Sequence, residues 1–197
     1  MTHGTRPKLL EAAFREVYER GFQAASLTEI LRDTGLTKGA LYHHFSCKRA
    51  LGLAVVEEVV RERLESSIFR PLEEAERPIA ALLTIWADKL RLLDDDTIEH
   101  GCPLNNLIQE MSPIDAEFRA RLGAILTRWQ QVLRNALRKA QSQQEIRADV
   151  DCDATALFIL AAWEGCWGIA KNQQSPSAFR QCLAQLQAYV EGLRPLG

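Results

Sequence analysis

The span TKGALYHHF, residues 37–45, concentrates side chains that could do chemistry, namely Lys38, Tyr42, His43 and His44. Such groups can transfer protons, carry positive charge or bind a metal ion. The span contains no carboxylate or cysteine, which a catalytic acid–base pair or a structural zinc site would require. Adjacent residues of a helix also point in different directions, so the two imidazoles do not form a shared metal site. We therefore expect these side chains to bind a partner outside the chain.

Helical spacing of apolar residues predicts the elements that position this span. A first helix is capped by Thr5 and ends at Gly21. SLTE, residues 26–29, has the form of a capping box and predicts a second, short helix ending at Gly35. The apolar stripe of the first helix comprises Leu10, Ala13, Phe14, Val17 and Tyr18.

Two further helices follow the turn at Gly35. Thr37 caps a third short helix that runs through His44, and Ser46 caps a long fourth helix that ends near Phe69, before Pro71. A long helix followed by two short ones joined by tight turns is the helix-turn-helix plan. In this plan the second short helix is available to enter the major groove of DNA.

The distribution of charge favours an anionic partner for the first quarter of the chain. The 197 residues carry a net charge of −2, but residues 1–50 carry +3 and the remainder −5. A basic first quarter on an acidic body indicates a local contact with an anion, and excludes a protein that coats nucleic acid along its whole length.

The composition indicates a cytoplasmic protein without a membrane segment. No apolar run reaches the length of a membrane span, and MTHGTRPKLLEAAF lacks the apolar core and cleavage site of a secretory signal. The cysteines are odd in number and form no C-x-x-C pair, so we expect reduced thiols and not a disulfide framework. They are Cys47, Cys102, Cys152, Cys166 and Cys182.

The rest of the chain also has helical periodicity, which predicts an all-α fold of about nine helices. Residues 154–170 are apolar nearly all round, and residues 177–193 follow as an amphipathic helix. These two helices could pair with the same two of a second copy in a four-helix bundle, which predicts a homodimer. The alternative is that residues 154–170 are buried within a single chain.

Residues 26–51, SLTEILRDTGLTKGALYHHFSCKRAL, resemble the DNA-binding signature of the TetR family of bacterial transcriptional regulators. The likeness includes the T/S-K-G-x-L-Y-x-H-F core and Lys48 after it. It implies a helix-turn-helix DNA-binding domain over residues 1–50 and an effector-binding and dimerisation domain over residues 51–197. It also implies a homodimer on a near-palindromic operator in double-stranded DNA, most simply a repressor that an unknown small-molecule effector releases.

The third helix offers four groups to the floor and edge of a DNA groove. Thr37 lies at the helix N-terminus, where backbone amides and the helix dipole favour a phosphate. Lys38 can reach a base edge or a phosphate. Gly39 allows close approach to the groove, and Ala40 is small enough to contact a thymine methyl group.

The remaining predicted DNA contacts are to the sugar-phosphate backbone. Tyr42 and His43 position the helix without reading bases, whereas Ser26 and Lys48 can hold phosphates from the neighbouring helices. For His44 we expect a structural role or a contact at the edge of a phosphate. On the opposite side of the helix, Leu41 and Phe45 are expected to anchor it to the rest of the domain.

The C-terminal part contains a mixture of residues typical of an apolar pocket with a few orienting polar groups. The alternative for each tryptophan is a place in the core. The candidate effector-binding residues are Trp86, Cys102, Asn105, Asn106, Gln109, Trp129, Trp163 and Trp167.

Cys102 has a second interpretation as a thiol-based sensor of electrophiles or oxidants. It stands before the helix-starting Pro103 and follows His100, and a thiol at a helix N-terminus near an imidazolium can have a lowered pKa. The alternative is an inert, half-buried cysteine.

The sequence contains none of the motifs that would indicate an enzyme. We find no Gly-rich phosphate loop, G-x-S-x-G, H-E-x-x-H or paired-carboxylate motif, and we expect no catalytic residue, no cofactor and no metal site. The remaining alternative is an all-α ligand-binding or adaptor protein whose helix-turn-helix packs against protein instead of DNA.

Overall fold

The structure is a computed structural model that describes residues 4–195, and all regular elements in this range are helical, as predicted. It contains nine helices of at least seven residues and one shorter helix of six residues. Their bounds are α1 Thr5–Arg20, α2 Leu27–Thr34, α3 Lys38–His44, α4 residues 48–74, α5 Pro78–Arg91, α6 Asp95–His100, α7 Pro103–Met111, α8 Ala116–Ser142, α9 Cys152–Gln173 and α10 Pro176–Glu191.

Two glycines end the first helices as predicted. Gly21 follows α1 with φ +81°, and Gly35 follows α2 with φ +66°, which are backbone conformations that favour glycine. The predicted cap at Thr5 is wrong, because the N-cap position is Gly4 and Thr5 is already helical.

Two other predicted caps differ from the structure. Ser26 is at the N-cap of α2, but its side chain makes no capping hydrogen bond, and its N–H donates to Glu16 Oε1 at 3.0 Å. The N-cap of α4 is Cys47 rather than Ser46, because the Cys47 thiol accepts the Ala50 N–H at 3.4 Å. Of these two helices, only α4 therefore has a side-chain cap, and it comes from the residue after the predicted one.

Helix α4 is longer than predicted. It passes Pro71 and reaches Glu74, with π turns between its α-helical segments, the second of them at Glu65–Phe69. Because a new α-helical segment, Arg70–Glu74, begins directly after this π turn, Pro71 lies in a first turn, where its missing N–H costs little. The predicted end near Phe69 is wrong for this reason.

The helices form two compact units. The first unit contains residues up to Arg63 together with Pro103–Ile125, and the second contains Leu64–Cys102 and the chain from Leu126 onward. The boundary that the family resemblance implies between a DNA-binding domain, residues 1–50, and an effector-binding domain, residues 51–197, stays a prediction. Within residues 4–195 no helix has the length and hydropathy needed to cross a membrane.

The expectation that all five cysteines are reduced thiols is wrong for one pair in the second unit. Cys166 of α9 and Cys182 of α10 form a disulfide, with their Cα atoms 5.6 Å apart. The pair is 16 residues apart in sequence and has no C-x-x-C spacing, so no local signal indicates it. Packing of α9 on α10 brings the two thiols together, whereas Cys47, Cys102 and Cys152 are not disulfide-bonded.

Candidate nucleic-acid interface

Helix α3 is held by its apolar side and by its cap. Leu41 is 1% exposed and Phe45 is 4% exposed, so both anchor α3 within the first unit as expected. Thr37 Oγ1 accepts the Ala40 N–H at 3.2 Å, which confirms the predicted cap. The guanidinium of Arg6 stacks over the Phe45 ring at 5.0 Å and tethers the end of the helix to α1.

The opposite side of α3 is open to solvent. Thr37, Lys38, Gly39 and His43 are exposed, and Tyr42 has 52% of its surface exposed in spite of its aromatic ring. Ala40 is half-buried between them. Five of the six predicted α3 contacts are therefore exposed and the sixth, Ala40, is half-buried, and we call these six residues the α3 face.

The two adjacent imidazoles do not converge on a common point. The ring of His43 meets the ring of His44 edge-on, with the centroids 5.1 Å apart, and His44 is half-buried beside Phe45. Among residues 4–195 no three His, Cys, Asp or Glu side chains are grouped to hold a metal ion.

Gly39 is not required by the fold. A Cβ at this position would meet only Thr37 Oγ1, at an ordinary distance of 3.7 Å, and the backbone is in a conformation open to any residue. A glycine inside a helix costs about 0.5–1 kcal/mol relative to alanine. The space above Gly39 is therefore available for close approach by a ligand, as the groove contact requires.

The two predicted phosphate contacts outside α3 have different local environments. The Ser26 side chain is half-exposed, and its backbone is held by Glu16, which is only 7% exposed. The Lys48 ammonium donates to the carbonyl of Gln23 at 2.8 Å and lies 5.1 Å from the centre of the Phe22 ring. A phosphate at Lys48 would thus have to share this ammonium with the Gln23 carbonyl.

Five of the eight predicted effector-binding residues belong to the second unit, where the four tryptophans are buried and Cys102 is half-buried. Trp86 stacks on Trp163 with ring centroids 6.0 Å apart, and Trp163 meets Trp167 edge-on at 6.0 Å. Trp129 packs instead against Phe69, at 5.8 Å. Since all four tryptophans are 3–7% exposed, each contributes to the core of this unit.

Three ionisable groups of the second unit interact with one another, namely Lys89, Cys102 and Glu164. The Cys102 thiol donates to Glu164 Oε1 over 3.5 Å, and burial raises the pKa of Glu164 to about 7. Burial also lowers the pKa of Lys89, and the negative form of Cys102 acts in the opposite direction. The sequence did not single out Lys89, because a lysine in an amphipathic helix gives no signal that it is half-buried beside a thiol.

The three predicted amide residues belong to α7, in the first unit. Gln109 Nε2 donates to Asn105 Oδ1 at 3.4 Å, and Asn106 borders a narrow cleft of about 10 Å³ with Tyr18 and Leu107. The eight candidate effector residues are therefore divided between the two units.

The first unit also contains contacts that the sequence did not predict. The Glu110 carboxylate accepts the backbone N–H groups of Phe22 and Gln23, and Arg49 pairs with Asp115. The partners are separated by as many as 88 residues in the sequence. No pattern within one helix can indicate such pairs.

The arrangement of α1, α2 and α3, with one face of α3 exposed and polar, defines a helix-turn-helix DNA-binding protein. Residues 9–55 match the family model described as bacterial regulatory proteins of the tetR family. Residues 77–186 match the model of the tetracyclin repressor-like C-terminal domain.

Characterised relatives agree with both matches. The chain is 32% identical to the transcriptional regulator AcuR of Cereibacter sphaeroides over 174 residues, covering 85% of this chain and 77% of that protein. It is 29% identical to the transcriptional repressor DhaR of a Mycobacterium species, covering 81% of this chain and 79% of that protein.

The fold is also shared with solved structures. The regulatory protein TetR from Rhodobacter sphaeroides superimposes with a TM-score of 0.82 at 27% identity, over 92% of this chain and 96% of that one. The chain belongs to the TetR family and is a DNA-binding transcriptional regulator, not an enzyme.

Proposed function

We propose that this protein is a homodimeric repressor that binds a near-palindromic operator through the α3 face and leaves it when a small-molecule effector binds. The α3 face is the observation that supports this proposal most directly. It combines a capped helix start, a cation and two polar rings with a glycine that the fold itself does not need.

In this docking, α3 enters the major groove with its N-terminus against the phosphate backbone. The Thr37 hydroxyl and the amides of the first turn face a phosphate, and Lys38 reaches a base edge or a phosphate. Gly39 and Ala40 approach the groove floor, where a longer side chain would hold the helix away. Tyr42 and His43 fix the register along the backbone, and Ser26 and Lys48 hold phosphates on either side.

The surface of the second unit supports pairing with a second copy. Leu157, Phe158 and Ile169 of α9 are 50–56% exposed, and the Phe158 ring packs against Tyr189 of α10 at 4.7 Å. Phe158 and Ile169, eleven residues apart, share one side of α9 and Leu157 flanks them, so the three form an exposed apolar strip that water solvates poorly. In a family whose members bind DNA as dimers, α9 and α10 of two copies would cover this strip.

We place the effector-binding site in the second unit. Stacked tryptophans supply apolar surface, and Lys89, Cys102 and Glu164 supply the few polar groups that orient a ligand. The related DhaR is named a repressor, and we extend that role to this chain. A repressor of chromosomal genes acts in the bacterial cytoplasm.

A mobility-shift titration with the gene's own upstream DNA tests the proposal. We expect a shifted band whose affinity falls steeply between low and moderate salt, because phosphate contacts release counterions. A duplex of scrambled sequence serves as control. Binding to neither duplex at low salt would favour the adaptor alternative.

A second candidate for the signal is thiol modification of Cys102, which stands directly before the N-terminus of α7 at Pro103. N-ethylmaleimide should then release DNA from the wild type but not from Cys102→Ser. Cys47→Ser is the matched control, since Cys47 is an exposed thiol in the first unit. Equal release from the wild type and Cys102→Ser would leave a non-covalent effector as the signal.

A further inference from the structure

Two carboxylate contacts hold the chain on either side of the helix pair α2–α3, one just before α2 and one just after α3. The first holds residues 22–23, and the second holds Arg49. Both carboxylates come from residues 110–117, at the end of α7 and the start of α8, and all of these residues belong to the first unit.

The first contact is made by Glu110. Its Oε2 accepts the Phe22 N–H and its Oε1 accepts the Gln23 N–H, each at 2.8 Å. Neighbouring Gly21 makes this approach possible, since a Cβ there would lie 3.1 Å from Glu110 Oε2 and the residue has φ +81°. A carboxylate that accepts two backbone amides is a stronger and more directional tether than a neutral side chain.

Helix α7 lies beside α1 within the first unit. Phe14 and Val17 of α1 line a narrow cleft of about 10 Å³ together with Pro103 and Leu107 of α7, and Glu110 borders the same cleft.

The second contact is the ion pair of Arg49 with Asp115 and Glu117. The guanidinium donates to both Asp115 oxygens, at 2.6 and 2.9 Å, and to Glu117 Oε2 at 2.8 Å. Asp115 Oδ1 also accepts the N–H groups of Glu117 and Phe118, which places the carboxylate at the start of α8. Arg49 and these amides hold the pKa of Asp115 well below its usual range.

A third bond joins the two contacts. Lys48, next to Arg49, donates to the carbonyl of Gln23, next to Phe22. The ring of Phe22 packs against Phe118 with centroids 4.8 Å apart. The chain between residues 23 and 48, which contains α2 and α3, is therefore closed at its base by groups from α7 and α8.

We infer that Glu110 and Asp115 are positioning residues for DNA binding, which fix the angle at which α2 and α3 present the α3 face. The inference rests on the proposed function and assigns new residues to it. Neither side chain touches DNA in the proposed docking. Each acts through the backbone or through Arg49, and both carry negative charge in a DNA-binding unit.

Electrostatics alone predicts the opposite effect of neutralising these groups. Removing a negative charge from a DNA-binding unit should strengthen binding to any DNA, because repulsion from phosphates falls. Loss of positioning should instead weaken binding to the operator and leave binding to unrelated DNA almost unchanged. Weaker binding to the operator alone therefore indicates loss of positioning, and tighter binding to both duplexes indicates an effect of charge alone.

The experiment compares Glu110→Gln and Asp115→Asn with the wild type and with Glu19→Gln, an exposed carboxylate on α1 of the same unit. Asparagine keeps the cap of α8 but loses the charge that pairs with Arg49. We expect binding to the upstream duplex to weaken by roughly tenfold in each of the two variants, as for loss of a charge-assisted hydrogen bond. Binding to an unrelated duplex of equal length should stay within about twofold. Glu19→Gln removes only a charge, so it should bind both duplexes at least as tightly as the wild type.

Amide hydrogen exchange gives a readout that needs no DNA. In Glu110→Gln, and in Glu110→Asp, whose shorter side chain keeps the charge, the amides of Phe22 and Gln23 should exchange faster than in the wild type. Wild-type exchange in both variants would overturn the inference, as would tighter binding to both duplexes. An equal loss for both duplexes with a lower melting temperature would show a purely structural role and also overturn it.

These outcomes are distinguishable from failure of the proposed function. If the wild type does not prefer the upstream duplex over the unrelated one, the proposed function fails at that step. The exchange rates of the Phe22 and Gln23 amides still decide whether Glu110 holds the turn.

Discussion

Thr37 Oγ1 accepts the backbone N–H of Ala40 at 3.2 Å, so the first turn of α3 is closed by the residue that also begins the predicted DNA-binding surface. The hydroxyl retains its proton to donate to a phosphate while its lone pair serves the helix. The Thr37 side chain therefore contributes both to the stability of the seven-residue helix α3 and to its proposed contact with DNA.

Substitution of this cap should reduce both stability and binding. Thr37→Ala removes the hydrogen bond to Ala40, and we expect a loss of about 1 kcal/mol in the free energy of unfolding, as for other N-cap deletions. Urea unfolding followed by circular dichroism measures this loss. Thr5→Ala is the matched control, because Thr5 does not cap α1. Equal losses in the two variants would contradict a capping role for Thr37.

Removal of the Lys38 charge should change how DNA binding depends on salt. Lys38→Ala is expected to weaken operator binding and to reduce the slope of log K against log salt by about 1, since one counterion is no longer released. Mobility-shift titrations at several salt concentrations give the slope. If Lys38→Ala and Tyr42→Ala both bind like the wild type, the proposed docking of α3 is wrong.

Gly39 offers a test that separates folding from binding. Gly39→Ala should raise the free energy of unfolding by about 0.5–1 kcal/mol, because the backbone is helical and no atom of the chain opposes a methyl group. The same methyl group should weaken operator binding, because it holds α3 away from the groove. A variant that is more stable and binds as well as the wild type would show that the DNA does not approach Gly39.

The buried Glu164 should make stability depend on pH. Its folded-state pKa of about 7 lies above its ordinary value of 4.5, so the native state holds the proton more tightly than the unfolded state. The wild type should therefore lose stability as pH rises from about 4.5 to 7, and the cost is complete above 7. Relative to the wild type, Glu164→Gln should gain on the order of 2 kcal/mol at pH 8 and almost nothing at pH 4.5. A stability difference between the two proteins that is flat from pH 5 to 8 would contradict this environment.

The apolar strip on α9 should control the oligomeric state. Phe158→Arg places a charge in the centre of the proposed interface, and we expect a monomer by sedimentation velocity at micromolar concentration. Leu92→Arg is the matched control, because Leu92 is 75% exposed but lies outside α9 and α10. A dimer that persists in Phe158→Arg would place the interface elsewhere.

Much of the fold could be predicted because helices are encoded locally. Apolar spacing and turn residues located α1, α2 and α3, and the stops at Gly21 and Gly35 follow from the positive φ that glycine adopts readily. The errors fall at helix ends. The N-caps of α1 and α4 shifted by one residue, since adjacent residues offered equivalent local signals. The π turn before Pro71 extended α4 by a mechanism with no sequence signature.

The candidate site divides in the same way. By itself the sequence determined what α3 presents, because a capped amphipathic helix has only one way to bury Leu41 and Phe45 and must then expose Lys38, Tyr42 and His43. Only the tertiary structure decided what holds that helix in place and what surrounds Cys102. Glu110, Asp115 and Glu164 meet partners across as many as 88 residues, and such distances close only when whole helices pack. The periodicity of one helix contains no information about its neighbour, so these contacts become visible only in the folded chain.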